Sequence, residues 1–447
     1  MPRVTSTPSP SAKSTAQQHQ ANYEDRFLAV GNGGMAGYID YIGMLAQLNS
    51  GLGVAVVGGN AGHSAIENNV GVGAPGVYLP YLHDRDQVEA WIHNAISLLA
   101  PAAKAWTQAY YGRRLRKSYY YGCSTGGAQG FALAKFYPGL FDGVYAGSPG
   151  NWYSHLALSF LWNAQHTSTT ETKLTQAELN LTTNAVLDAC DEIDGVKDRV
   201  IENPLRCPFD IDSLACKSSS QPSSNPPTCL TPSKIASAKA IYAGPKRSDT
   251  HQPLYAPFAL GSEIQWSLQE GPLASAFSVP ILQNLVFNSL DYNTSTFNWA
   301  SDVDAVTART GALIDENSPN LSTYRNRGGK LLVTQGWADP YNAAEVPIQH
   351  LQSIQSFFHG DVGDWYRLFM IPGGGHCGAA SYYPQVPAEY HILTKLIGWV
   401  ERGEVPESVL SCAPPDGSAR TRKLCAWPAT AMLVGGDAEV AGSYVCR

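Results

Sequence analysis

The stretch Ser118-Tyr119-Tyr120-Tyr121-Gly122-Cys123-Ser124-Thr125-Gly126-Gly127 decides how this chain is read. Its first half is aromatic and strand-forming, and its second half is a G-x-S-x-G turn. The residues beyond it, through Phe131, Leu133 and Phe136 to Pro138, have helical spacing. Strand, tight turn and helix in that order make a nucleophile elbow, with glycines where a Cβ atom would clash. An inert serine in a glycine-rich turn is the plain alternative. Gly143-Val144-Tyr145-Ala146 reads as the next strand, and strand–helix–strand implies a parallel sheet. The fold class is therefore α/β.

Further strands are predicted at 26–30, 52–57, 330–334 and 366–371, each apolar and bounded by turn residues. The spacing of Val88, Trp91, Ile92, Ala95 and Leu99 predicts an amphipathic helix over 86–99. Pro101 opens a second helix to about 111, and another covers 388–402. Between 152 and 325 the strand pattern stops. That stretch holds Cys190, Cys207, Cys216, Cys229 and a Pro/Ser-rich run at 218–231. It reads as a lid inserted over the C-terminal edge of the strands, where α/β folds bind ligands. Residues 1–22, rich in Ser, Thr, Pro and Gln, read as a disordered leader.

Serine is a weak nucleophile without a base beside it. In an elbow protein the base comes last, after an acid, in the order Ser…Asp/Glu…His. His376 follows the last strand in Pro372-Gly373-Gly374-Gly375-His376-Cys377, and Asp339 follows the strand at 330–334 in Gly336-Trp337-Ala338-Asp339. Asp315, Asp361 and Asp364 lie outside any strand-end turn. An oxyanion hole needs two donors. The Thr125 N–H is one; Gly34 or Gly33, in Gly31-Asn32-Gly33-Gly34 after the first strand, supplies the other. Cys123 adjoins Ser124 and Cys377 adjoins His376, so a bond between these cysteines would hold nucleophile and base side by side.

The composition narrows the class. Only 15% of the 447 residues are charged, and 44% are hydrophobic. The first figure is well below the usual ~25% and suits a secreted protein; the second supports a large core. A net charge of −7 argues against nucleic acid or an anionic membrane as partner. No run of 18 apolar residues suggests a membrane span. Nine cysteines predict an oxidising compartment, with at least one left unpaired, and sequons begin at Asn180, Asn293 and Asn320. The residues from Met1 onward lack the apolar stretch of a signal peptide.

One lid segment, Cys190-Asp191-Glu192-Ile193-Asp194-Gly195-Val196-Lys197-Asp198-Arg199-Val200, is densely acidic. Asp191, Asp194 and Asp198, with the carbonyls of Val196 and Val200, offer the oxygen set that calcium prefers. The spacing is not that of an EF-hand, and a solvated acidic turn is the alternative. A Cys190–Cys207 staple around the loop favours a structural metal.

These motifs together resemble the tannase/feruloyl esterase family. The matching text is 120–127, 141–149, 191–198, Gly336-Trp337-Ala338-Asp339 and 372–377, and the likeness runs from about residue 26 to the end. The resemblance implies an α/β-hydrolase fold, with a catalytic domain from 23–151 and 326–447 and a large inserted lid domain, 152–325, that carries calcium. It implies a triad of Ser124, Asp339 and His376 braced by Cys123–Cys377. Further pairs would be Cys190–Cys207, Cys216–Cys229 and Cys425–Cys446, leaving Cys412 over. The implied calcium ligands are Asp191, Asp194, Val196, Asp198 and Val200. The implied activity is that of a secreted feruloyl esterase, cleaving small aromatic esters or feruloylated cell-wall polysaccharide. The alternatives are a tannase acting on galloyl esters, or a non-catalytic or truncated member. Family members usually begin well upstream of the Gly31–Gly34 loop, so the chain looks N-terminally truncated. Ala128 and Gly374 stand where Arg and Met are common.

Overall fold

The computed structural model describes residues 22–71, 73–217, 226–378, 380 and 382–447. Residues 1–21 of the expected leader at 1–22 and most of the Pro/Ser-rich run at 218–231 lie outside the described residues. Six strands form one parallel sheet in the order β2-β1-β3-β4-β5-β6. They are β1 (Arg26–Val30), β2 (Val54–Gly58), β3 (Lys117–Cys123), β4 (Gly143–Gly147), β5 (Lys330–Gly336) and β6 (Tyr366–Ile371). Every pairing between neighbours is parallel.

The strands are near-continuous apolar runs because both faces of the sheet are covered. Successive side chains alternate between two cores. Phe27, Ala29, Tyr120, Val144, Leu331 and Val333 point into one, against helices α1 (Ala95–Tyr111), α2 (Thr125–Phe136) and α3 (Val346–Phe357). Leu28, Val30, Tyr119, Tyr145 and Leu332 point into the other, against Ile392, Leu396 and Trp399 of helix α4 (Ile392–Arg402). Among the described residues no strand of this sheet lies between Gly147 and Lys330. The inserted segment folds instead into helices with apolar clusters of their own. Among the described residues no helix is long and apolar enough to cross a membrane.

Three helical expectations need correction. The helix expected over 86–99 is broken: Arg85–Glu89 is α-helical and Ala90–Asn94 forms a wider π turn. Ala90, Trp91, Ile92 and His93 of that turn are all buried, and such π turns widen a helix locally without ending it. Pro101 does not open a helix but sits inside α1. Its ring is exposed there, so it crowds no packed core, and it leaves the Ser97 carbonyl without its helical partner. The last helix starts at Ile392 rather than 388, because Glu389–Tyr390 pair as a short strand with Ser408–Cys412.

Candidate active site

Ser124 stands between β3 and α2 with φ 63° and ψ −123°, a conformation that costs a non-glycine residue free energy. Its neighbours hold it there. The Ser124 N–H donates to the Gly147 carbonyl at 2.9 Å, and the Ser124 carbonyl accepts from Ala128 and Gly150, both at 3.1 Å. A Cβ at Gly122 would lie 2.4 Å from the Gly126 carbonyl oxygen, and one at Gly126 would lie 2.9 Å from that of Asn32. Both motif glycines therefore answer to steric need.

At the C-terminal end of β5 the Asp339 side chain is fully buried and lies 2.9–3.0 Å from Nδ1 of His376. It also accepts from the N–H groups of Tyr341 (2.8 Å) and Asn342 (3.0 Å), and from Gln335 Nε2 (3.0 Å). A carboxylate that accepts so many bonds is oriented before any substrate arrives. A carboxylate can only accept, which puts a ring proton on Nδ1 and leaves the Nε2 lone pair free. The Tyr341 ring packs against the imidazole at a centroid distance of 4.5 Å. Asp315 is turned to Ser154, Asp361 caps Gly363 and Asp364 faces Arg325.

Ser124 and His376 line one cavity of about 560 Å³. Among the described residues the serine hydroxyl makes no hydrogen bond to the ring; such bonds are often long in a substrate-free site. Cys123 and Cys377 are disulfide-bonded with Cα atoms 5.9 Å apart, and Ser124, which follows Cys123, and His376, which precedes Cys377, adjoin the two ends of that bridge in the chain. The Cys377 N–H donates to Ser148 Oγ at 3.3 Å. Three more bridges join Cys190 to Cys207, Cys216 to Cys229 and Cys425 to Cys446. Cys412 is unpaired, its sulfur 3.4 Å from Nε2 of His391.

The Gly33–Gly34 loop is tied to the elbow helix. Thr125 Oγ1 donates to the Gly34 carbonyl at 2.9 Å, and Trp91 Nε1 to the same oxygen at 3.0 Å. The Asn32 N–H donates to Gln129 Oε1 at 3.2 Å, and Gln129 Nε2 to the Trp91 carbonyl at 2.8 Å. Gly34 has φ +56°, which favours glycine, and a Cβ at Gly33 would meet nothing within 4 Å. Thr125 opens α2, so its N–H has no acceptor within the helix. The sequence reading gave Trp91 only as a core residue of a helix, and it assigned no role at the site to Gln129, Gln335 or Tyr341. Phe277, which reaches the cavity from the inserted segment, was given none either. Only Tyr341, two residues beyond the acid, carried a positional hint.

A family model described as tannase and feruloyl esterase matches residues 16–447. The chain belongs to that family. It is 29% identical over 430 residues to a probable feruloyl esterase B-1 from Aspergillus flavus, covering 91% of this chain and 78% of that protein. It is 29% identical over 439 residues to feruloyl esterase C from Talaromyces stipitatus, covering 93% and 78%. Among solved structures, feruloyl esterase B from Aspergillus oryzae superposes with a TM-score of 0.84 at 27% identity, over 96% of this chain and 85% of that one. The tannin acyl hydrolase from Aspergillus niger shares the fold, with a TM-score of 0.72 at 21% identity over 96% and 81%.

In this member the acidic loop of the inserted segment is stapled by Cys190–Cys207 and buries Asp191 and Asp194. Asp191 accepts from the N–H groups of Asp198, Arg199 and Val200 at 2.9–3.2 Å. The Arg422 guanidinium reaches Asp194 (3.3 Å), Glu202 (3.2 Å) and Asp198. Burial pushes the Asp194 carboxyl up to about 6 against the pull of Arg422, and raises Asp198 likewise. Among the described residues no three His, Cys, Asp or Glu side chains converge as a ready metal cage. Negative charge is nonetheless in excess: three carboxylates (Asp194, Asp198, Glu202) face Arg422 and Arg420, Arg420 is shared with Glu439, and the charge of Asp191 beside them helps raise Asp198. Asp198 Oδ1 is buried without a hydrogen-bond partner. This donor set fits a hard cation.

Proposed function

We propose that the chain is a secreted serine carboxylic ester hydrolase acting on hydroxycinnamoyl esters, of the kind that decorate plant cell-wall polysaccharides. The observation that carries this reading is the Asp339–His376 pair facing the Ser124 elbow across one cavity, with the Cys123–Cys377 bridge between them. Ser124 would attack the ester carbonyl while His376 Nε2 accepts its proton. Thr125 and Gly34 would donate to the oxyanion, and Asp339 would stabilise the imidazolium. His376 would then protonate the departing alcohol and activate water to release the acid. Met35, Tyr121, Phe277 and Tyr341 give the cavity apolar and aromatic walls suited to a planar aromatic acyl group. The named relatives favour feruloyl over galloyl esters. The test is kcat/KM on methyl ferulate against methyl gallate: a higher value for the ferulate is expected, and the reverse would make the enzyme a tannase.

We further propose that the acidic loop holds calcium through Asp191, Asp194 and Asp198, with the carbonyls of Val196 and Val200. Its role would be structural, neutralising the surplus carboxylates and fixing the inserted segment. A bound ion at hundredfold saturation stabilises by about 2.7 kcal/mol, so chelation should lower Tm by a few degrees and added calcium should restore it. An unchanged Tm on both treatments would discard the ion. Secretion is the matching expectation for a chain with four disulfides.

A further inference from the structure

Beside the catalytic cavity lies a second one, of about 440 Å³, and the two share Tyr121 and Cys377 as walls. Its size falls in the roughly 300–1,000 Å³ range of small-molecule sites. We infer that this second cavity is a subsite for the alcohol half of the substrate, and that the alcohol it takes is a sugar residue. The inference rests on the esterase reading above and adds to it where the leaving group lies.

Direction comes from the chemistry. The proton delivered to the leaving alcohol comes from His376, and the next residue, Cys377, is the wall between the cavities. An acyl group seated against Phe277 and Tyr341 leaves the alcohol oxygen at the imidazole, and the rest of the alcohol must continue past it. The character of the second cavity suits a polyhydroxylated group. Gln47, Glu389 and Thr394 line it, and among the described residues none of their side chains makes a hydrogen bond. An amide, a carboxylate and a hydroxyl offer both donors and acceptors to sugar hydroxyls. Tyr390 also lines it, as a partly exposed aromatic residue whose hydroxyl is buried without a partner. An aromatic face beside free polar groups is the usual pairing for a sugar ring, whose hydroxyls lie at its edge and whose C–H bonds lie on its face. An apolar alcohol would leave those polar groups unmatched on binding.

Gln47, Glu389 and Thr394 lie on the surface or near it, so substitutions there do not threaten the core. The experiment measures kcat/KM for 5-O-feruloyl-arabinofuranose and for methyl ferulate in the wild type, in a Gln47→Ala, Glu389→Ala double variant and in Thr394→Trp, which fills the cavity. The expected result is a ratio of sugar ester to methyl ester at least tenfold lower in both variants, seen mainly in KM, with unchanged Tm. A ratio within threefold of wild type in both variants overturns the subsite. Failure of the wild type to turn over methyl ferulate at all would instead overturn the esterase reading itself.

Discussion

Ser124→Ala is expected to lower kcat on methyl ferulate by about 10⁶-fold, the scale seen when a serine hydrolase loses its nucleophile. The loss should be the same fold on methyl gallate, because the nucleophile acts before any choice between acyl groups matters. The fold should survive. The Ser124 hydroxyl makes no hydrogen bond among the described residues, while its backbone is held by Gly147, Ala128 and Gly150. Alanine meets the same backbone constraint at φ 63°, so the unfolding free energy should stay within about 0.5 kcal/mol of wild type, as for other substitutions that remove no buried partner. The measurement is single-turnover acyl release with purified variant beside its thermal unfolding curve. Activity within 100-fold of wild type would mean that another group attacks the ester, and the elbow would revert to a structural turn. Loss of activity together with a collapsed Tm would mean that Ser124 holds the turn rather than the reaction.

The central sheet was legible from the chain because its strands are buried on both faces. The stretch at 366–371 is apolar at nearly every position, and β6 is Tyr366–Ile371. The strand at 26–30 likewise matches β1, and the other four differ from expectation by one or two residues at an end, where turn residues blur the boundary. Helices were read less well. Periodicity at 86–99 placed Trp91 on a buried face, where it is, but did not show the π turn that carries it or the bond of its indole to Gly34. Nothing local in the sequence announces a turn set by tertiary contact. The same holds for Gln129, a polar residue on a buried helix, whose partners Asn32 and Trp91 lie 97 and 38 residues away. The chemistry-bearing residues stood out because each sits at a strand end in a glycine-rich turn. The groups that orient them stayed hidden because their partners are distant in the chain. Arg422, which enters the acidic loop from more than 220 residues downstream, is another case.

Removing the bridge by a Cys123→Ala, Cys377→Ala double substitution should separate two effects that a staple and a catalytic brace would share only in part. The bond spans 254 residues, for which the chain-entropy model gives about 5 kcal/mol. The Cys425–Cys446 bond spans 21 residues and is worth about 3 kcal/mol on the same reasoning. Both double variants should therefore unfold at lower denaturant. Only the first should lose turnover at temperatures where the protein remains folded. Ser124 follows one cysteine and His376 precedes the other, while the loops that carry them come from different strands, β3 and β6. Without the sulfur link their spacing depends on Ser148, which receives the Cys377 N–H, and on the Asp339–His376 pair. A displacement of about 1 Å between reacting groups costs about 100-fold in rate, and that is the expected fall in kcat, with KM changing far less. The comparison decides between roles. A Cys123/Cys377 variant that loses stability but keeps its kcat would make the bridge a staple that happens to lie near the site. A fall in kcat confined to that variant would mean that the proton transfer from Ser124 to His376 requires the covalent clamp.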